Sequence, residues 1–153
     1  MKFDRRRFIN RLIVGIAAIE AIVLIKGGIT NKAKLSEDKK LIPVGKSDSY
    51  EKNHVYPFLN HHFYLKRFED GGFLALSIKC THLGCVINYN NTTGGFNCPC
   101  HASQFSPNGE VVASPASRPL DYYPITVKNG ELYVDTSVVK RRKSFLKSQL
   151  TYV

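Results

Sequence analysis

Acidic residues are sparse in this chain: 12 Asp and Glu stand against 22 Lys and Arg, a formal charge of +10 over 153 residues. Cysteine is scarcer still, with four, and histidine numbers five. The length suits one domain of ordinary size. There is no internal repeat. After residue 40 no stretch shows helical periodicity before the final residues, which argues against a helical domain. No nucleic-acid-binding module is visible, so the excess charge does not argue for a DNA or RNA partner. The charge sits instead at the ends. Lys2, Arg5, Arg6, Arg7 and Arg11 open the chain, and Lys140, Arg141, Arg142, Lys143 and Lys147 nearly close it. The region between is close to balanced. Basic ends beside an apolar segment point to anionic lipid.

That apolar segment lacks two things. It has no A-x-A cleavage site, so a retained anchor is expected rather than a removed leader. It also lacks an unbroken run, because Glu20 divides Leu12–Ile19 from the stretch ending at Ile25. Residues 12–25 alone would reach roughly 21 Å as a helix, short of the ~30 Å hydrocarbon core. Phe8 to Ile29 is long enough if Arg11 and Lys26 snorkel. Glu20 would cost ~2–3 kcal/mol in lipid unless protonated or paired with another helix. "DRRRFIN" (4–10) fits the twin-arginine export pattern, an address for proteins exported already folded. We therefore expect a twin-arginine-type signal anchor and single transmembrane helix over 1–28. The basic head places the amino terminus in the cytoplasm and the rest on the periplasmic or outer side.

A polar stretch, 29–40, reads as a tether. From Leu41 short β-branched and aromatic runs alternate with Gly, Asn, Asp and Pro. "HHFYLKRF" (61–68) and "GFLALSIK" (72–79) flank a turn at Glu69–Gly72, and "YYPITVKNGELYVD" (122–135) reads as a hairpin around Lys128-Asn129-Gly130. Residues 41–137 are thus expected to form an all-β domain, a small antiparallel sandwich or barrel. The basic tail 138–153 is expected to be a helix or a solvated charged end. Phe63, Tyr64, Phe68, Phe73, Tyr122, Tyr123 and Tyr133 fall at strand spacing and read as core and sheet faces.

All four cysteines and two histidines fall in "CTHLGC" (80–85) and "CPCHAS" (98–103). Both stretches follow predicted strands, so each loop would offer thiolate and imidazole. Two chemistries use such donors. A Cys2His2 set suits tetrahedral zinc. A [2Fe–2S] centre ligated by two thiolates on one iron and two imidazoles on the other uses the same donors, one of each from each loop. The Cys-x-His spacing is unlike the Cys-x-x-Cys of a zinc knuckle, which favours the second. His54, His61 and His62 lie outside both motifs and read as surface or strand residues.

With these motifs the sequence resembles the Rieske iron–sulfur proteins of cytochrome bc complexes, over about residues 70–135. The resemblance implies one [2Fe–2S] cluster, held at one end of a β domain. Cys80 and Cys98 would bind one iron, and His82 and His101 the outer one. Cys85 and Cys100 would form a disulfide joining the loops. Leu83 would shield the cluster, the Ser103 hydroxyl would bond a bridging sulfur, and the loop "SPASRPL" (114–120), with Pro115, would cover a third side. Two positions depart from the family pattern. Ala102 stands where glycine is usual, implying a tolerant backbone angle or slight strain. Phe105 stands where high-potential members carry tyrosine, so one hydroxyl bond to a ligand sulfur would be missing. An intermediate potential follows, suited to a low-potential quinol such as menaquinol.

Neutral imidazoles donate less negative charge than thiolates and raise the potential. An iron-bound imidazole still carries a proton on its other nitrogen, and reduction makes the ring hold it more tightly. Electron and proton can then move together, as quinol oxidation requires. The implied function is electron transfer in a quinol–cytochrome c reductase-type complex. Its partners would be a cytochrome b-type membrane subunit, quinol, a c-type cytochrome and membrane lipid. The competing reading is the small Rieske subunit of an exported molybdenum oxidase such as arsenite oxidase. A cytoplasmic dioxygenase ferredoxin fits less well, having no need of the second cysteine pair. No substrate pocket is evident, so any catalytic label belongs to the complex.

Overall fold

The computed structural model describes residues 41–153, and position 6, residues 8–11 and residues 13–16 near the amino terminus. The latter are helical. Residues 1–38 and 39–153 form separate compact units. Among the described residues no helix is long and apolar enough to cross a membrane. Arg5, Glu20 and the 29–40 tether lie outside the described residues, as does most of the expected anchor.

The larger unit is all β, with three antiparallel sheets. The first has the order β1 (Leu41–Lys46), β11 (Glu131–Asp135), β10 (Ile125–Lys128). The second runs β2 (His54–Phe58), β3 (Phe63–Arg67), β4 (Phe73–Ser77), β9 (Tyr122–Tyr123). The third runs β5 (Asn88–Asn90), β6 (Gly95–Asn97), β7 (Gln104–Phe105), β8 (Val111–Ala113).

The second sheet is the middle layer, which explains its sequence. A strand buried on one face alternates apolar and polar residues; one buried on both reads as a continuous apolar run. β4 is "FLALS", and all five residues are buried. Phe73 and Ala75 face one core with Phe63, Leu65, Leu132 and Val134. Leu74 and Leu76 face the other, which holds Ile87, Phe96, Cys80 and Cys98. The third sheet therefore packs on the middle one through the core that carries the two free cysteines.

The turns follow the residues that shape them. β3 and β4 pair from Phe63↔Ser77 to Arg67↔Phe73, as the 61–79 pattern predicts. Asn129 and Gly130 both have positive φ, at 51° and 78°, the geometry an Asn-Gly hairpin turn needs. The expected single hairpin over 122–135 is divided, however. Tyr122–Tyr123 pair with β4, and only the stretch after Pro124 pairs with β11. Proline has no N–H to donate, which suits it to the change of sheet.

The carboxy-terminal segment also differs from expectation. Its one helical piece is a 3-10 turn at Lys147–Gln149, and although Lys140, Arg141, Lys143 and Lys147 are exposed, the segment is tied to the domain. Lys140 pairs with Tyr122, and Thr151 with Phe73 through two hydrogen bonds of 2.8 and 3.0 Å. Phe145 stacks on Phe68 with ring centroids 5.4 Å apart. Leu150 is buried, and so is Arg142, at 6 % exposure. β9 covers only part of the β4 edge, and the segment pairs beyond it at Phe73, closing backbone that would otherwise be open. Leu150→Ala should cost about 2–5 kcal/mol, as for other buried leucines, read as a lower midpoint in denaturant unfolding.

Candidate metal centre

Two loops carry the donors, and they share one backbone device. In the first, the Cys80 N–H donates to the Cys85 carbonyl at 2.8 Å, and the Gly84 N–H to the Cys80 carbonyl at 2.8 Å. In the second, the Cys98 N–H donates to the Ser103 carbonyl at 2.8 Å, and the Ala102 N–H to the Cys98 carbonyl at 3.1 Å. Each knuckle needs a left-handed residue at its fifth position. Gly84 has φ 80° and Ala102 φ 59°. The alanine is the strained case, since its Cβ disfavours that region. The strain alternative of the sequence reading is the one found.

The knuckles bury one cysteine each and set the histidines nearer the surface. Cys80 and Cys98 are free thiols, each 3 % exposed. His82 is half-buried and His101 exposed. Their rings lie near each other, with centroids 5.0 Å apart and planes 87° apart. Cys85 and Cys100 form a disulfide. The sulfurs of Cys85, Cys98 and Cys100 lie within 4.8 Å of one another, but only Cys98 of these three remains a thiol. Leu83 is 70 % exposed beside His82.

Burial pushes the Cys80 thiol above its ordinary range. The His82 backbone N–H pulls it back, the neighbouring Cys98 pushes it up again, and a hydrogen bond from the Ser103 hydroxyl lowers it. Ionising the Cys80 thiol, buried beside a second sulfur, is costly without a cation next to it. A soft donor pair of this kind, with two imidazoles nearby, fits a thiolate- and imidazole-bound iron–sulfur group.

The 114–120 loop closes the third side. Thr81 donates through Oγ1 to the Arg118 carbonyl at 2.6 Å. The Ala116 N–H donates to Ser103 Oγ at 3.0 Å, and Ser103 is fully buried. Pro115 is exposed, and Phe105 is buried under the second knuckle. His54, His61 and His62 lie on β2 and the β2–β3 connection, outside this site.

Residues 40–124 match the model of the Rieske [2Fe-2S] domain. The chain belongs to the Rieske family. A Rieske domain binds a [2Fe–2S] cluster, which excludes the zinc reading. The cytochrome b6-f complex iron-sulfur subunit of Chlorobaculum tepidum is 24 % identical over 143 residues, 86 % of this chain and 75 % of that protein. The menaquinol:cytochrome c reductase iron-sulfur subunit of Geobacillus thermodenitrificans is 41 % identical over 70 residues, 43 % of this chain and 41 % of that one. Among solved structures, a chain of a hyperthermophilic respiratory Complex III covers 81 % of this chain and 98 % of itself, with TM-score 0.48 and 24 % identity.

Sequence reasoning missed Thr81, the Ala116 amide and the Arg118 carbonyl. They act across 13 and 37 residues of sequence, and no local pattern marks them. Ala102→Gly should stabilise the Rieske domain by about 0.5–1 kcal/mol, because relief of a left-handed alanine slightly exceeds the entropy of a new glycine. Thermal melting checks this; a lower midpoint would contradict the strain.

Proposed function

We propose that this chain is the electron-transfer iron–sulfur subunit of a quinol–cytochrome c reductase-type membrane complex. Cys80 and Cys98 would hold one iron of the cluster, and His82 and His101 the other. The observation that carries this is the placement of the two imidazoles together at the loop surface while both thiols are buried beneath. The named relatives, iron–sulfur subunits of cytochrome b6-f and menaquinol:cytochrome c reductase complexes, support the same reading.

Bound there, the cluster supplies a one-electron couple. The chain's residues do the rest. With one nitrogen of each ring on iron, the other nitrogen of His82 or His101 would hold the proton a quinol hydroxyl must give up. Leu83 offers an exposed apolar side chain beside them, fitted to a membrane partner and to keeping water from the ring edge. The Ser103 hydroxyl, whose Oγ accepts from Ala116, would donate its proton to a cluster sulfur and withdraw negative charge from it. The disulfide keeps both knuckles in one register.

The partners are a cytochrome b-type subunit, menaquinol or a quinol of similar potential, and a c-type cytochrome. The chain sits in the cell membrane by its 1–28 anchor, with the Rieske domain outside the cytoplasm. The basic head before the apolar run supports that orientation. So does the disulfide, a bond suited to an oxidising compartment.

Purified from membranes in mild detergent, the chain should co-elute with b- and c-type haem, and a naphthoquinol should reduce the c haem. Co-elution with a molybdenum-containing large subunit would instead favour the arsenite-oxidase-like reading. Phe105→Tyr should raise the midpoint potential on the order of tens of millivolts, since a new bond to a ligand sulfur favours the oxidised and reduced states unequally. An unchanged potential would remove the missing hydroxyl as a cause.

A further inference from the structure

Arg142 is a buried cation in the carboxy-terminal segment, outside the region that matches the Rieske model. Its guanidinium reaches three acceptors from three parts of the chain. Nε donates to the Leu120 carbonyl at 2.7 Å. Nη2 donates to the Asn108 carbonyl, and Nη1 to Gln149 Oε1 at 3.0 Å. Glu110 adds a nearby negative charge, and its carboxylate accepts from the Phe145 N–H. The site is shaped for this group. A Cβ on Gly109 would lie 2.5 Å from Nη2. Burying a charge on mostly neutral acceptors is a poor route to stability, and a packed apolar side chain often does as well. What the guanidinium alone supplies is a rigid fork satisfying acceptors in diverging directions.

Leu120 ends the loop that covers the cluster site. Its amide also donates to the Gly109 carbonyl at 2.8 Å. The loop is thus pinned at three points. Ala116 is held to Ser103 and Arg118 to Thr81, both in the cluster loops. Leu120 is held from the other side, by Arg142 and Gly109. Ser103 Oγ accepts from the Ala116 N–H, and this leaves its own proton to donate towards the cluster site. The direction of that proton depends on where Ala116 stands.

We propose that Arg142 is a positioning residue for the redox centre: by clamping Leu120 it holds the 114–120 loop where the Ala116 amide fixes the Ser103 hydroxyl over the cluster site. This rests on the ligand assignment above. The tail that reads as a charged end is then the far anchor of the cluster's covering loop. A lysine in place of Arg142 reaches one acceptor rather than three, and a methionine none.

The test uses the full chain as isolated with its cluster. Wild type, Arg142→Met, Arg142→Lys, Ser103→Ala and the Arg142→Met/Ser103→Ala double variant are titrated under electron paramagnetic resonance and melted in parallel. The expected result is a lower midpoint potential in Ser103→Ala and, in the same direction, in Arg142→Met. The double variant should fall no further than Ser103→Ala alone, and Arg142→Lys should lie between wild type and Arg142→Met. A lower melting temperature with an unmoved potential would overturn the proposal and leave Arg142 purely structural, and additive shifts would overturn it too. If Arg142→Met fails to retain a cluster, Arg142→Lys and its double with Ser103→Ala decide by the same criteria. A wild-type chain lacking the rhombic signal overturns the ligand assignment and the proposal with it; a wild-type signal with unmoved variants overturns the proposal alone.

Discussion

Cys80 and Cys98 each donate their backbone amide to a carbonyl five residues on, and that closure is what the rest of the site depends on. It folds six residues into a knuckle that sinks the thiol into the core and lifts the histidine to the surface. Repeated in two loops, it sets two buried sulfurs below two imidazoles. The Cys85–Cys100 disulfide then binds one knuckle to the other. The left-handed fifth residue, Gly84 or Ala102, is the backbone condition for the closure.

The sandwich supplies the rigidity the knuckles need. The first loop leaves β4, the most buried strand, and the second joins β6 to β7 in the sheet packed against it. Cys80 and Cys98 are therefore part of the apolar core and not appended to it. A site placed on packed strands keeps its geometry better than one on free loops. The carboxy-terminal segment extends this, since it pairs with Phe73 on β4 and reaches the covering loop through Arg142 and Leu120.

The paired cysteine–histidine loops were legible because their motifs are local. Cys80 and His82, or Cys98 and His101, stand two or three residues apart, and the knuckle between them needs no distant partner. The β3–β4 hairpin was legible for the same reason, its turn residues Asp70 and Gly71 being adjacent. The break at Pro124 was harder, because only the competing edge of β4 explains why Tyr122–Tyr123 leave the hairpin. Within the tail, Arg142 misled most. Lysines and arginines in series normally mark a solvated end. The acceptors that bury Arg142, at Asn108 and Leu120, are 34 and 22 residues away, and neither is visible as a side-chain signal.

The central claim is that imidazoles from His82 and His101, not further thiolates, bind the outer iron and couple its reduction to a proton. The most direct measurement is the midpoint potential of the intact chain, followed by electron paramagnetic resonance across pH. The account predicts a rhombic reduced signal and a potential that falls as pH rises past neutrality, towards about 59 mV per pH unit for one proton per electron. A low potential that does not change with pH would contradict it.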